Sequence, residues 1–160
     1  MPELESLLGR LIERQLPFVI VGGYAAMAHG VTLVTQDIDV CIEFSPDKVF
    51  QLRDAVADLH PVHRMTPQRL PLVIDNSNVG ALKNLYLDTD WGPLDCLSEV
   101  KGIGKYDAVL EFAQNVMLPA GRCAILNIDG LIKAKEAMNR THDQLTILQL
   151  RAIQRRQQDG

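Results

Sequence analysis

Phe18-Val19-Ile20-Val21-Gly22-Gly23-Tyr24, followed by Thr35-Gln36-Asp37-Ile38-Asp39-Val40, decides how this chain folds. The first stretch reads as a short apolar strand that a glycine pair turns into a helix over 24–29. The second alternates acidic and apolar residues and continues through Cys41 and Ile42, the pattern of a half-buried strand with one functional face. Residues two apart on a strand share a face, so Asp37 and Asp39 project side by side. Carboxylates that close repel unless a cation lies between them. A hard divalent ion with oxygen ligands meets that need, Mg²⁺ bound to phosphate above all.

Outward from this stretch, Leu4, Leu7, Leu8, Leu11 and Ile12 keep the three-four spacing of an amphipathic helix that Pro17 ends. Ser45-Pro46-Asp47 predicts a helix start, with a capping hydroxyl, proline at the first helical position and an early acid, running to about Leu59. The stretch 60–78 holds Pro61, Pro67 and Pro71 and predicts irregular backbone with a short strand near 72–74. Ala81 to Leu87 and Pro93 to Leu97 predict a hairpin closed by Asp88-Thr89-Asp90-Trp91-Gly92. A short helix over 106–113, strands over 116–118 and 122–126, and helices over 128–138 and from a break at 139–141 to about 157 complete the chain. The expectation is one α/β (α+β) domain over 1–160. Its small mixed sheet and core span about 17–126, helices pack on one face, and helices over about 127–158 extend it.

Hydrophobic content of 47% and charged content of 22% are those of a globular protein with room for one core. A formal net charge of −4 argues against a general electrostatic grip on nucleic acid, though not against a local basic surface. No apolar run approaches the roughly 20 residues of a membrane span, and no leader pattern opens the sequence. Cys41, Cys96 and Cys123 are odd in number and lack zinc spacing, so they read as reduced, buried thiols of a cytoplasmic protein.

Leu94-Asp95-Cys96-Leu97 sets a single acid inside an apolar strand, where burial is costly unless the acid is paired or bound to metal. Beside the Asp37–Asp39 strand it completes a cluster of three carboxylates, enough to hold two Mg²⁺ ions. The helix after Gly22-Gly23 would aim its N–H groups and positive end at a triphosphate, with glycine allowing close approach. Each piece alone has a plainer reading. A glycine pair more often marks a tight strand–helix connection, an Asp-x-Asp is ordinary on a solvated edge strand, and Asp95 at a hairpin edge could face water. Together they are much more specific.

These residues resemble the nucleotidyltransferase superfamily related to DNA polymerase β, in its small bacterial form: Gly-Gly before a helix, Asp-x-Asp on a strand, a third acid on a later strand. Leu131-Ile132-Lys133-Ala134-Lys135 with Arg140 and Asp143 resembles the C-terminal helix signature of the AbiEii-like, toxin–antitoxin-related branch. The matching pieces cover roughly 17–145. The resemblance implies Mg²⁺-dependent transfer of a nucleoside monophosphate from a nucleoside triphosphate (NTP), ATP or another, to an acceptor hydroxyl on RNA (a tRNA end), protein or a small molecule. It implies catalytic and metal-binding roles for Asp37, Asp39 and Asp95, and nucleotide contacts from Gly22, Gly23, Thr35 and Lys135. Leu33 departs from it, standing where the branch often carries arginine; Thr35, Asp37 and Asp39 are kept. That departure leaves a second expectation: a binding module of the same fold, antitoxin-like, that regulates a partner protein with little or no catalysis. Arg140 and Asp143, three apart, read first as a local ion pair. His29 reads as a helix cap, and His60 and His63, split by Pro61, as structural or exposed.

Overall fold

The computed structural model describes residues 2–159. Helix α1 (Leu4–Glu13) buries Leu7, Leu8 and Leu11, the stripe its spacing sets out. Strand β1 (Val19–Val21) is wholly buried and passes directly into α2 (Gly22–Ala28), with His29 as its C-terminal cap. Strand β2 (Ile38–Cys41) follows, then α3 (Pro46–Val56), extended by one 3₁₀ turn over Ala57–Leu59. Pro46 opens α3, but the expected hydroxyl cap is not made: Ser45 Oγ instead donates to Glu43 Oε2 at 3.3 Å.

The strand expected near 72–74 is not there. The extended pair is β3 (Val62–His63), which Pro71 meets only as an isolated bridge to Val62. Asn78 explains the difference: its side chain donates to Val73 O at 2.8 Å and accepts from Asp75 N at 3.0 Å, holding 73–78 as a closed loop. The expected hairpin forms as β4 (Asn84–Thr89) and β5 (Gly92–Leu97), tighter than expected because pairing runs down to Thr89↔Gly92 and leaves Asp90-Trp91 as the turn. A small hairpin, β6 (Glu99–Val100) and β7 (Gly104–Lys105), was not foreseen. Helix α4 (Tyr106–Leu110) ends short of Ala113, because 113–118 is drawn into strand β8 (Ala113–Leu118) by pairing with β9 (Gly121–Leu126). Helices α5 (Ile128–Met138) and α6 (Gln144–Asp159) close the chain. Asn127 caps α5 by accepting from Gly130 N at 2.8 Å.

Seven strands form one mixed sheet in the order β3-β4-β5-β2-β1-β9-β8 among the described residues. The pairs β1/β9 and β2/β5 are parallel, and the others are antiparallel. Strand β2 is thereby central, between β1 and β5. Val19, Ile20, Ile38, Val40, Leu94, Cys96 and Ile125 on these inner strands are all buried, as are the three cysteine thiols. Each such aliphatic side chain contributes about 1.5–3 kcal/mol by leaving water, so the middle of the sheet is the firm part of the molecule. Helix α1 packs on α3 and β9, while α5 packs between α2 and α6. No described helix is long and apolar enough to cross a membrane.

Candidate active site

Strand register builds the site. In the parallel pair β2/β5, Asp39 lies directly opposite Asp95, and in the antiparallel pair β1/β2 it lies opposite Val21, the residue before Gly22. Asp37 lies in the bend just before β2, not within the strand that the alternation predicts, yet its carboxylate still reaches the other two. Asp37, Asp39 and Asp95 each offer a carboxylate oxygen within 4.8 Å of the others. Thr35 fixes the first of them: its hydroxyl lies 3.2 Å from both Asp37 Oδ1 and Asp37 O. Gly22 has φ of +71°, and a Cβ there would overlap Asp39 Oδ2, so the turn from β1 into α2 admits only glycine against the carboxylate. Gly23 lies against Thr35 Oγ1, 3.3 Å from where a Cβ would stand.

Three acids at this spacing are electrostatically costly, and the cost falls on Asp39. Burial, then the charges of Asp37 and Asp95, push its carboxyl up to about 7, with Arg64 opposing. Arg64 was not foreseen from the sequence. Its Nη2 donates to Asp95 Oδ1, and Asp95 is largely buried, its side chain 13% exposed. The Arg64 backbone N–H donates to Tyr86 O at 2.9 Å, and Tyr86 is the β4 residue opposite Asp95. Nothing local in 60–78 marked this arginine, because its role depends on a strand pairing distant in sequence.

Lys135 and Arg140 line the same cleft as Gly22, Asp39 and Asp95, a cavity of about 960 Å³. Neither reaches a carboxylate of the triad. Lys135 Nζ lies 3.2 Å from Asp143 Oδ1, and Arg140 Nε donates to Asp143 Oδ2 at 2.6 Å. Asp143 is buried; burial raises its carboxyl, but the hydrogen bonds from Arg140 and Lys135 outweigh this and hold it below the ordinary carboxylate range. The local Arg140–Asp143 pair is thus present, and Lys135 joins it. Lys133 points away, its ammonium 5.8 Å over the Phe112 ring. Leu33 packs beside Gly23 against the core. His29 Nε2 lies 2.9 Å from Leu126 O and ties α2 to β9, while His60 is exposed and pairs with Asp90. The β6–β7 hairpin walls part of the same cleft. Its tip, Gly102 with φ of +88°, is pressed so closely on α5 that a Cβ would come within 2.6 Å of Ala137 Cβ.

The donor set is three hard carboxylate oxygens, two on central strands and Asp37 in the bend that leads into β2, which fits Mg²⁺. No protein-family model matches the sequence, and no curated protein matches it. Solved structures do. The lincosamide antibiotic adenylyltransferase LnuA, in its lincomycin-bound form, superposes with a TM-score of 0.62 at 14% identity, over 94% of this chain and 96% of that one. TM1012 from Thermotoga maritima, a candidate nucleotidyltransferase, superposes with a TM-score of 0.56 at 12% identity, over 93% and 94%. At such identities the likeness is one of fold: this chain has the mixed α/β fold of nucleotidyltransferases along nearly its whole length.

Proposed function

We propose that the protein is a nucleotidyltransferase that moves a nucleoside monophosphate from an NTP to an acceptor hydroxyl and releases pyrophosphate. The observation that carries this is the register of β2 and β5, which sets Asp39 beside Asp95, with the Asp37 carboxylate within reach of both and Gly22 against Asp39. Asp37, Asp39 and Asp95 would hold Mg²⁺, two ions in the full complex, which when bound neutralises the triphosphate and lowers the proton affinity of the acceptor oxygen. The chain's own part is positioning and charge. Asp95 accepts the acceptor's proton as its oxygen attacks the α-phosphorus; the bond to the bridging oxygen breaks, and pyrophosphate leaves with that electron pair. Thr35 keeps Asp37 turned toward the site. Gly22 and Gly23 would offer the backbone N–H groups at the start of α2 to the phosphates, and Lys135 with Arg140 lines the same cleft with positive charge.

The acceptor is an RNA end, a protein side chain or a small molecule. The last is supported by the size of the cleft and the net charge of −4, and by the lincosamide substrate in LnuA's name. The AbiEii-like resemblance of α5 supports a place in that branch and, with it, a partner protein. A second reading, a nucleotide-binding or partner-binding module with little turnover, is favoured by Leu33 and by the engagement of Lys135 with Asp143.

Calorimetric titration of ATP and the other triphosphates, with and without Mg²⁺, tests the proposal in wild type and in the double variant Asp37→Ala/Asp39→Ala. Mg²⁺-dependent binding that the variant loses is the expected result. A wild type that binds no triphosphate would remove the transferase reading and leave the partner-binding module.

A further inference from the structure

Arg64 stands where the metal site meets the edge of the sheet. Its backbone is pinned over Tyr86, and its side chain crosses to Asp95 on the next strand. Asp88 lies close by, but its carboxylate is taken by Arg69, whose Nη2 is 2.6 Å away, whereas Arg64 Nε is 3.8 Å from it. That Nε is buried and donates no hydrogen bond. Lys135 and Arg140 are occupied by Asp143. Among the described residues, then, Arg64 is the cation that reaches the carboxylate cluster, through its bond to Asp95. With Asp39 ionised by a bound metal, three negative charges and one positive are neutralised by a single divalent ion; a second ion is matched only once the negative triphosphate arrives.

We infer that Arg64 is a resident counter-cation of the carboxylate cluster: it occupies one oxygen of Asp95, competes with divalent metal there, and so makes complete metal loading depend on the nucleotide. Arg64 is a positioning residue in this scheme. It touches no reacting atom, but it decides which Asp95 oxygen faces the metal and when. The arrangement also supplies an arginine to a site whose branch resemblance leads one to expect it at position 33, now filled by Leu33. The inference rests on the reading of Asp37, Asp39 and Asp95 as metal ligands.

The test is Mn²⁺ binding followed by electron paramagnetic resonance without and with ATP, in wild type, Arg64→Gln, Arg64→Lys and Asp37→Ala/Asp39→Ala. Removing a unit positive charge beside a divalent ion strengthens its binding, so Arg64→Gln without nucleotide should bind Mn²⁺ on the order of tenfold or more tightly than wild type. Nucleotide should improve Mn²⁺ binding less in this variant than in wild type. Arg64→Lys keeps the charge and should stay near wild-type affinity, which also covers the case in which the glutamine variant fails to fold. An arginine that merely braces β4 and β5 would give unchanged or weaker Mn²⁺ binding in Arg64→Gln, or a lysine variant as altered as the glutamine one; either result overturns the inference. If wild type and every Arg64 variant bind no Mn²⁺, the metal reading falls and takes this inference with it. If wild type binds and Asp37→Ala/Asp39→Ala does not, only the role of Arg64 is at stake.

Discussion

At the scale of single residues, the site trades stability for charge density, and Asp39 carries most of that trade. With its carboxyl raised from an ordinary value of about 3.9 to about 7, the folded protein holds a proton there that the unfolded chain has already lost across the interval between. Stability of the metal-free protein should therefore fall as pH rises from about 4 to about 7, by up to roughly 1.4 kcal/mol per unit, and flatten above. Thermal denaturation of wild type and Asp39→Asn over that range checks this. The asparagine variant should lose the slope and be more stable at pH 8, by on the order of 2 kcal/mol, while losing the proposed transfer activity. Mg²⁺ should flatten the wild-type slope, since it favours the ionised form. Asp37, Asp39 and Asp95 were legible because acids in apolar strands are conspicuous on a period of two. Arg64 was not, since an arginine in a proline-broken stretch that also holds Arg69 looks like any solvated charge until β3, β4 and β5 are in register.

Among the elements, the strand–glycine–helix unit of β1 and α2, the central strand β2 and the β4–β5 hairpin announce themselves by alternation and turn residues. The β6–β7 hairpin could not, because two-residue strands have no period to detect. Helix α4 ends three residues before its sequence pattern does for a related reason: 111–113 is compatible with helix locally, and only pairing of Ala113 with β9 decides otherwise. The clamp between α5 and the start of α6 was half legible. The Arg140–Asp143 spacing suggested a pair, but Lys135, a full eight residues from Asp143, enters only through the fold. Asp143→Asn should strand two cations against a buried amide and cost about 3 kcal/mol, a fall of several degrees in melting temperature at pH 7. Because the Asp143 carboxyl is held below its ordinary range, the contribution it makes is present at neutral pH and lost as pH falls below about 4. The same variant should weaken triphosphate binding by releasing Lys135 and Arg140 from their set positions, which titration of the folded variant measures.

For the molecule as a whole, strand order sets where rigidity lies. Asp39 and Asp95 rest on β2 and β5, which have paired neighbours on both sides, whereas Arg64 follows a two-residue edge strand and precedes a long loop. Hydrogen exchange should accordingly be slowest in β1, β2 and β5 and fastest over 64–78, with the amide of Arg64 slower than its loop neighbours because it bonds to Tyr86 O. Uniform protection across 60–90 would contradict this division. A fixed set of carboxylates beside a cation on a softer segment is also the arrangement that a metal-competing arginine requires.

The two margins of the sheet are unequal. At one end β3 offers only two residues, backed by loop. At the other β8 presents six, Ala113-Gln114-Asn115-Val116-Met117-Leu118, without a charge or a proline among them. Such an edge is a template for strand addition, and lysine or proline is the usual guard against it. In concentrated solution, self-association by sheet extension would therefore begin at β8 and proceed in one direction, and a lysine at Met117, whose side chain is already exposed, is the natural place to block it.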